Sequence, residues 1–189
     1  MIRDLVMNNR SCRRFDGEAS IDRKTLEELV DLARLSPTGA NLQPLKFHLS
    51  CDAETNALIY PCLAWAGYLE DWPGPVEDER PTAYITILGD ERIRKGFGCD
   101  HGIAAQSIML GATEEGLRGC MIGSVERKQM RAALQLPEHF DILLVLALGK
   151  PVEKIVLEPL PDDGSIRYWR DEQDVHHVPK RSLAEILVN

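Results

Sequence analysis

Two short clusters of basic residues are the clearest candidates for binding chemistry in this sequence. Arg10, Arg13 and Arg14 lie close together near the start of the chain, beside the hydroxyl of Ser11. Guanidinium groups stay charged and offer a planar fork of hydrogen-bond donors, which suits a phosphate. The second cluster, Lys180-Arg181, lies near the other end. Taken alone, each cluster is more typical of a solvated surface segment, so a phosphate site is a hypothesis at this point.

A third candidate is the stretch over residues 36–44, which is rich in small and amide side chains. Gly39 would let the backbone approach a ligand closely. The amides of Asn41 and Gln43 each offer a donor and an acceptor, as the edge of a heterocycle does. The same residue types are common in ordinary turns, so both interpretations stay open.

The sequence gives little support for a catalytic nucleophile or a metal site. It has no G-x-S-x-G or H-E-x-x-H motif. Cys99 and His101 lie two positions apart, but no second pair completes a zinc-like spacing. The doublet His176-His177 is more typical of a surface or a substrate channel. Rossmann and P-loop motifs are also missing. We therefore nominate no catalytic residue and no metal ligand.

The hydrophobic pattern predicts helices and strands around these candidates. Apolar residues at helical spacing predict a helix after Asp22, its expected N-cap, that ends before Pro37. Ser124 is the expected N-cap of a later helix. The expected elements are helices over 22–35, 100–115 and 124–134, strands over 46–49, 83–88 and 142–148, an apolar piece over 117–123, and a short helix or extended arm over 182–188. This mixture predicts an α+β or α/β fold.

Composition limits the compartment and the partners. The 189 residues suit one domain, and 30 acidic against 22 basic side chains give a net charge of −8. That charge disfavours non-specific binding to nucleic acid or anionic membranes. Five cysteines without a C-x-x-C pair favour a reducing environment. The first residues lack the apolar core of a signal peptide, and the longest apolar run, 142–148, is too short to cross a membrane. We expect a cytoplasmic protein.

The order and spacing of the motifs resemble the FMN-dependent nitroreductase family. The motifs are Arg10-Ser11-x-Arg13-x-Phe15, residues 36–44, residues 102–107, residues 116–123, residues 148–151 and the final basic pair. The resemblance implies an α+β three-layer sandwich with a mixed, mainly antiparallel sheet flanked by helices. It also implies a single domain over residues 1–189 with a C-terminal arm over about 176–189. Similar proteins are intertwined homodimers with flavin sites at the interface.

The resemblance further implies which residues bind FMN. The phosphate and ribityl chain would be held by Arg10, Ser11, Arg13, Lys180 and Arg181. A loop reaching the flavin from the second subunit would contain Pro37, Thr38, Gly39, Asn41 and, more weakly, Gln43. The segment along the isoalloxazine ring would be Cys120, Met121, Ile122 and Gly123.

Two positions depart from the family pattern. Asn9 stands where a further Arg is common, which would weaken or rearrange the phosphate clamp. Met121 stands where an aromatic residue is frequent, which would change the packing behind the flavin. The acidic, irregular segment 65–81 carries Trp65, Tyr68 and Trp72. These aromatic residues either line the cavity and favour planar acceptors or belong to the core.

The activity that the resemblance implies is that of an NAD(P)H oxidoreductase. In such enzymes NADH or NADPH delivers a hydride to flavin N5 and leaves. A nitroaromatic, a quinone or a similar small acceptor then takes its place in a ping-pong cycle. The flavin performs the electron chemistry, so no dedicated catalytic side chain is needed. Two alternatives remain: a flavin-binding sensor or storage protein with little turnover, and an Arg cluster that serves a protein partner without any flavin.

Overall fold

A four-stranded antiparallel sheet forms the centre of the molecule in the computed structural model, which describes residues 1–188. In chain order, its strands are β1 (Leu45–Ser50), β2 (Ala83–Asp90), β3 (Arg118–Ile122) and β4 (Phe140–Gly149). Their order across the sheet is β1-β2-β4-β3. All eight residues of β2 are buried. The long apolar runs of β2 and β4 are therefore those of central strands covered on both faces.

The described residues contain six α-helices. They are α1 (Ile2–Asn8), α2 (Arg23–Leu35), α3 (Ala53–Ile59), α4 (Asp100–Glu114), α5 (Arg127–Ala133) and α6 (Leu183–Ile186). The predicted start of α2 is confirmed, because the Asp22 carboxylate accepts a hydrogen bond from the Thr25 N–H at 2.7 Å. Within residues 1–188, no helix has the length and apolar character needed to cross a bilayer.

Side chains that alternate along β2 divide the core into two clusters, one on each face of the sheet. Ile85 and Ile87 pack with residues of α2 and α4, which include Leu26 and Ile108. Tyr84 on the opposite face belongs to a cluster with residues of α3 and α5. This two-residue alternation produces three layers, with helices on both sides of the sheet.

A smaller sheet follows in the last forty residues. Its strands are β5 (Ile155–Pro159), β6 (Trp169–Arg170) and β7 (His176–Lys180), in the order β5-β7-β6. Strand β7 runs parallel to β5 and antiparallel to β6. Most of the predicted C-terminal arm is thus β7 and α6, and its last residue, Asn189, lies outside the described residues. The single-domain organisation stays a prediction.

His177 joins the three strands of this smaller sheet. Its ring stacks on Trp169 with 4.1 Å between ring centres. Its Nε2 lies 3.1 Å from the Asp171 carboxylate, and its Nδ1 contacts the carboxylate of Glu158. Hydrogen bonds to these two carboxylates, with the larger effect from Asp171, raise the pKa of His177 above its usual range. They therefore favour the charged imidazolium.

The structure corrects one predicted helix start and adds two helices. The prediction of Ser124 as an N-cap is wrong, because α5 begins only at Arg127. The Ser124 carbonyl accepts the Ala64 N–H at 3.0 Å, and the next residue, Val125, forms a bridge with Leu63. This tertiary pairing keeps the segment extended and overrides its capping preference. Helices α1 and α3 had no predicted counterpart.

Candidate functional site

A cavity of about 360 Å³ opens where the N-terminal segment, β3, α4 and β7 meet. Its walls are formed by Asn9, Arg10, Ser11, Arg13, Gln106, Met109, Gly119, Met121, Tyr168, His176, Val178 and Lys180. Among these residues, two arginines and a lysine are cationic and none is acidic. In a chain of net charge −8, this local excess of positive charge favours an anionic ligand.

The N-terminal segment reaches the cavity by pairing with the edge of β3. Ser11 forms a parallel bridge with Gly119, and the Cys12 N–H donates to the Gly119 carbonyl at 2.9 Å. A Cβ at Gly119 would lie 2.4 Å from the Ala147 carbonyl oxygen on β4. Glycine is therefore required for this close approach, and the pairing fixes the backbone from which the two arginines project.

Strand β7 supplies another wall of the cavity. Because side chains alternate along a strand, His176, Val178 and Lys180 share the face that lines it. Arg181 follows the end of β7, and its guanidinium lies 3.6 Å from the Glu185 carboxylate. The strand thus brings one member of the predicted basic pair to the cavity and directs the other to α6.

The guanidinium of Arg13 is held tightly although it is charged. The residue is only 8% exposed. Its Nη1 donates to the Ser11 carbonyl at 3.2 Å and lies 3.4 Å from Nε2 of His176. The Tyr168 ring centre lies 4.9 Å from the guanidinium carbon. Its buried Nε has no hydrogen-bond partner within residues 1–188. Arg13 is therefore positioned by its neighbours while one donor stays available.

A buried carboxylate supports Arg13 from behind. The Glu153 side chain is fully buried, and its Oε2 accepts the Arg13 backbone N–H at 2.9 Å. Its Oε1 accepts hydrogen bonds from Arg170 at 2.5 Å and 3.2 Å. The Arg170 guanidinium also lies over the Trp72 ring, 4.3 Å from its centre. This network connects β6 and the segment before β5 to the wall of the cavity.

The thiols beside the site are packing groups. Burial raises the pKa of Cys12 to about 12, and burial also raises the pKa of Cys120. Nucleophilic attack by cysteine requires the thiolate. Both thiols therefore stay protonated at neutral pH, and both are buried.

A smaller cavity of about 170 Å³ lies beside the first, along the end of β3. The two cavities share Arg13 and Met121. Trp65 lines the smaller one, and its indole Nε1 is buried without a partner in the part of the chain that the structure describes. Of the three central aromatic residues, Trp65 thus lines a cavity of this site. Tyr68 packs on Tyr168 and lines a separate cavity beside β5, and Trp72 lies under the Arg170 guanidinium.

The loop over residues 36–44 does not line either of these two cavities. The Gly39 N–H donates to the Asp100 carboxylate at 2.9 Å, at the start of α4. Thr38 and Gln43 line a separate cavity beside β1, and Asn41 is exposed with a φ of 55°. The resemblance assigns the contact of this loop with a flavin to a second subunit.

The structure brings the predicted site residues together only in part. The larger cavity contains Arg10, Ser11, Arg13, Met121 and Lys180. The smaller one contains Cys120, Met121, Ile122 and Gly123. Away from both lie Pro37, Thr38, Gly39, Asn41, Gln43 and Arg181. Sequence reasoning assigned no binding role to the other lining residues Gln106, Met109, Gly119, Tyr168, His176 and Val178. Two-residue alternation from Lys180 could have found two of these, but no signal marked Tyr168.

Comparison with known proteins gives a consistent result. The model described as "Nitroreductase family" matches residues 6–150. The oxygen-insensitive NADPH nitroreductase of Helicobacter pylori (strain ATCC 700392 / 26695) is 24% identical to this chain, in an alignment that covers 79% of this chain and 87% of that protein.

Solved structures share the fold at low identity. A nitroreductase-like protein from Streptococcus mutans matches with a TM-score of 0.71 and 16% identity, over 100% of this chain and 99% of that chain. A structure from Exiguobacterium sibiricum 255-15, described as a nitroreductase in complex with FMN, matches with a TM-score of 0.67 and 20% identity, over 81% and 89% of the two chains. The predicted α+β fold is confirmed. The chain belongs to the nitroreductase family, a family of FMN-dependent oxidoreductases.

Proposed function

We propose that the 360 Å³ cavity binds FMN and that the protein is an NAD(P)H oxidoreductase acting on a nitroaromatic, a quinone or a similar small acceptor. The observation that carries this proposal is the convergence of Arg10, Arg13 and Lys180 on one cavity in a chain of net charge −8. The phosphate of FMN carries up to two negative charges, and arginine and lysine are the usual donors to such a group.

The residues present fit the cofactor. The buried Nε of Arg13 and Nδ1 of His176 have no hydrogen-bond partner in the described part of the chain, as expected of groups that await a ligand. We infer that Arg10, Ser11, Arg13 and Lys180 hold the phosphate and ribityl chain. The isoalloxazine ring would then extend from the larger cavity toward the smaller one, along the segment Cys120, Met121, Ile122 and Gly123.

The family departure at Asn9 is compatible with this arrangement. Asn9 is 8% exposed and lines the cavity, and its carbonyl accepts a hydrogen bond from Arg10 Nε at 2.6 Å. Arg10 also donates to the Val6 carbonyl at the end of α1 at 2.7 Å. Backbone carbonyls therefore position Arg10, and the clamp has one cation fewer than family members that carry Arg at position 9.

Bound FMN would supply the electron chemistry, accepting two electrons from NADH or NADPH and passing them to the acceptor. The chain's own residues would bind the cofactor, keep its ring in place and limit access to it. Trp65 and Met121 border the smaller cavity, where a planar donor or acceptor would be exchanged. Because the nicotinamide donor and the acceptor would occupy the same smaller cavity, we infer that the donor leaves before the acceptor enters.

We further propose that the active form is a homodimer. Leu32 and Leu35, just before the loop over residues 36–44, and Leu42, within that loop, are exposed apolar side chains. A second copy could cover them and place Pro37, Thr38, Gly39, Asn41 and Gln43 beside the flavin of its partner. A sedimentation measurement on the FMN-loaded protein tests this, since a monomeric mass with bound flavin would contradict a shared site.

Steady-state kinetics of the FMN-loaded protein test the activity. NADH or NADPH and either a nitroaromatic or a quinone are varied together, with free FMN at the same concentration as the control. The expected result is turnover well above the control and parallel double-reciprocal lines, the pattern of a ping-pong cycle. Reduction of the bound flavin without reoxidation by any acceptor would instead favour a sensor or storage protein.

A further inference from the structure

His176 is the most deeply buried polar residue of the cavity wall. It is only 1% exposed, and it lines the cavity from the first position of β7. The Tyr168 ring lies against it with 5.2 Å between ring centres. It therefore lies on the same face of β7 as Lys180 and contacts Arg13. Lys180 and Arg13 are both residues of the proposed phosphate clamp.

The contact with Arg13 determines where the imidazole proton lies. A guanidinium has only donors, so Arg13 Nη1, 3.4 Å from His176 Nε2, makes that nitrogen the acceptor. A neutral imidazole that accepts at Nε2 carries its proton on Nδ1. Burial, with additional repulsion from Arg13 and Arg170, lowers the pKa of His176 to about 4, against the opposing effect of Glu153. The ring is therefore neutral at physiological pH.

The Nδ1–H that results has no acceptor. Nδ1 is buried and has no hydrogen-bond partner in residues 1–188. A buried donor without a partner is costly and is normally satisfied by protein, water or ligand. Because the ring lines the cavity, a ligand oxygen there can complete it.

We propose that His176 is a further binding residue whose Nδ1–H donates to a phosphate oxygen of FMN, alongside Arg13 and Lys180. This inference rests on the proposed FMN site. It assigns His176 two contacts on opposite sides of the ring: Nε2 fixes the Arg13 guanidinium, and Nδ1 binds the cofactor. Specificity for a phosphorylated flavin would thus depend on a neutral donor as well as on the cations.

Two substitutions separate these contacts. The amide of Asn can place a donor near the position of Nδ1 but does not reach Arg13, so His176→Asn keeps the proposed donor and loses the Arg13 acceptor. The longer His176→Gln reaches the position of Nε2, so it keeps that acceptor and loses the donor. Equilibrium binding of FMN and of riboflavin is measured by flavin fluorescence for wild type and both variants, after their thermal unfolding shows that they are folded.

The proposal predicts that H176Q binds FMN about 10- to 100-fold more weakly than wild type. H176N should stay within a few-fold of wild type, and riboflavin binding should change little in either variant. FMN binding by H176Q equal to wild type, equal weakening in both variants, or the same loss for riboflavin would each overturn the proposal. Wild-type protein that binds no FMN would refute the proposed function itself, and this inference with it.

A measurement on the unmodified protein gives a second test. In ¹⁵N-labelled wild type, NMR of the histidine side chains should show the His176 proton on Nδ1 before FMN is added. That nitrogen and its proton should shift on addition of FMN and shift much less on addition of riboflavin. A proton on Nε2, or an unchanged Nδ1–H in the FMN complex, would overturn the assignment.

Discussion

Removal of the charge on Glu153 should destabilise the protein far more than removal of a similar charge at its surface. The Glu153 side chain is fully buried, and it binds both the Arg13 backbone and the Arg170 guanidinium. In Glu153→Gln, the Arg170 guanidinium, only 11% exposed, would lose its counter-charge. Breaking a buried ion pair by removing one partner costs roughly 3–5 kcal/mol, because the remaining charge stays buried. In a chain of this size that corresponds to a fall in Tm of about 6–20 °C.

The chain contains a matched control. Arg167 and Glu70 form an ion pair of similar length, 2.8 Å, with side chains 54% and 74% exposed. Glu70→Gln removes the same kind of group in water, where such pairs contribute about 0–1 kcal/mol. Urea unfolding of both variants and wild type, at one protein concentration and without FMN, measures the difference by tryptophan fluorescence and by far-UV circular dichroism.

A double variant tests the electrostatic cause. When Arg170→Met is added to Glu153→Gln, no buried charge is left without a partner, so much of the lost stability should return. The account would be refuted if Glu153→Gln cost no more than Glu70→Gln. It would also be refuted if the double variant were less stable than either single variant, since loss of packing would then explain the effect.

Three further predictions concern the site and the smaller sheet. Lys180→Gln should weaken FMN binding by about 10- to 150-fold, the value of one charge-assisted hydrogen bond, whereas Arg181→Gln should change FMN binding little. Equal losses of affinity in a fluorescence titration of the two variants would contradict the placement of β7. Gly119→Ala should destabilise the fold by about 1–3 kcal/mol or more, because its Cβ would lie 2.4 Å from a carbonyl oxygen of β4. The control Gly123→Ala, whose Cβ would have its nearest neighbour at 4.0 Å, should change the free energy of urea unfolding very little. The pKa of His177 is raised in the folded protein, so its two ion pairs stabilise the fold fully below the unfolded pKa of about 6.5 and lose this effect as pH rises through the folded pKa. The difference in unfolding free energy between wild type and His177→Gln should therefore shrink above pH 6.5. A constant difference from pH 5.5 to 8.5 would contradict this role of His177.

Most of the central sheet and its main helices could be predicted because local signals agreed with tertiary structure. The Asp22 cap, the apolar stripe of α2 and the long apolar run of β4 each correspond to observed elements. The prediction at Ser124 is wrong because the bridge between Val125 and Leu63 joins residues that lie 62 positions apart. Such a contact leaves no mark in the local pattern.

The smaller sheet and half of the site could not be predicted for a related reason. Strands β5 and β7 have only five residues each, β7 is largely polar, and the two are paired through cross-strand contacts such as that between Glu158 and His177. The basic pair Lys180-Arg181 suggested two ligands, but the phase of β7 directs only Lys180 to the cavity. The roles of His176 and Tyr168 became visible only once that strand lay beside Arg13.

The most direct test of the central claim is equilibrium binding of FMN and riboflavin to the purified wild-type protein. The account predicts one FMN per chain, with the flavin absorption at about 450 nm retained after removal of free cofactor. It also predicts that riboflavin binds weaker by about 100-fold or more, because Arg10, Arg13 and Lys180 would then have no phosphate to hold. A protein that binds no FMN, or binds both flavins equally well, would contradict the assignment of the cationic cavity.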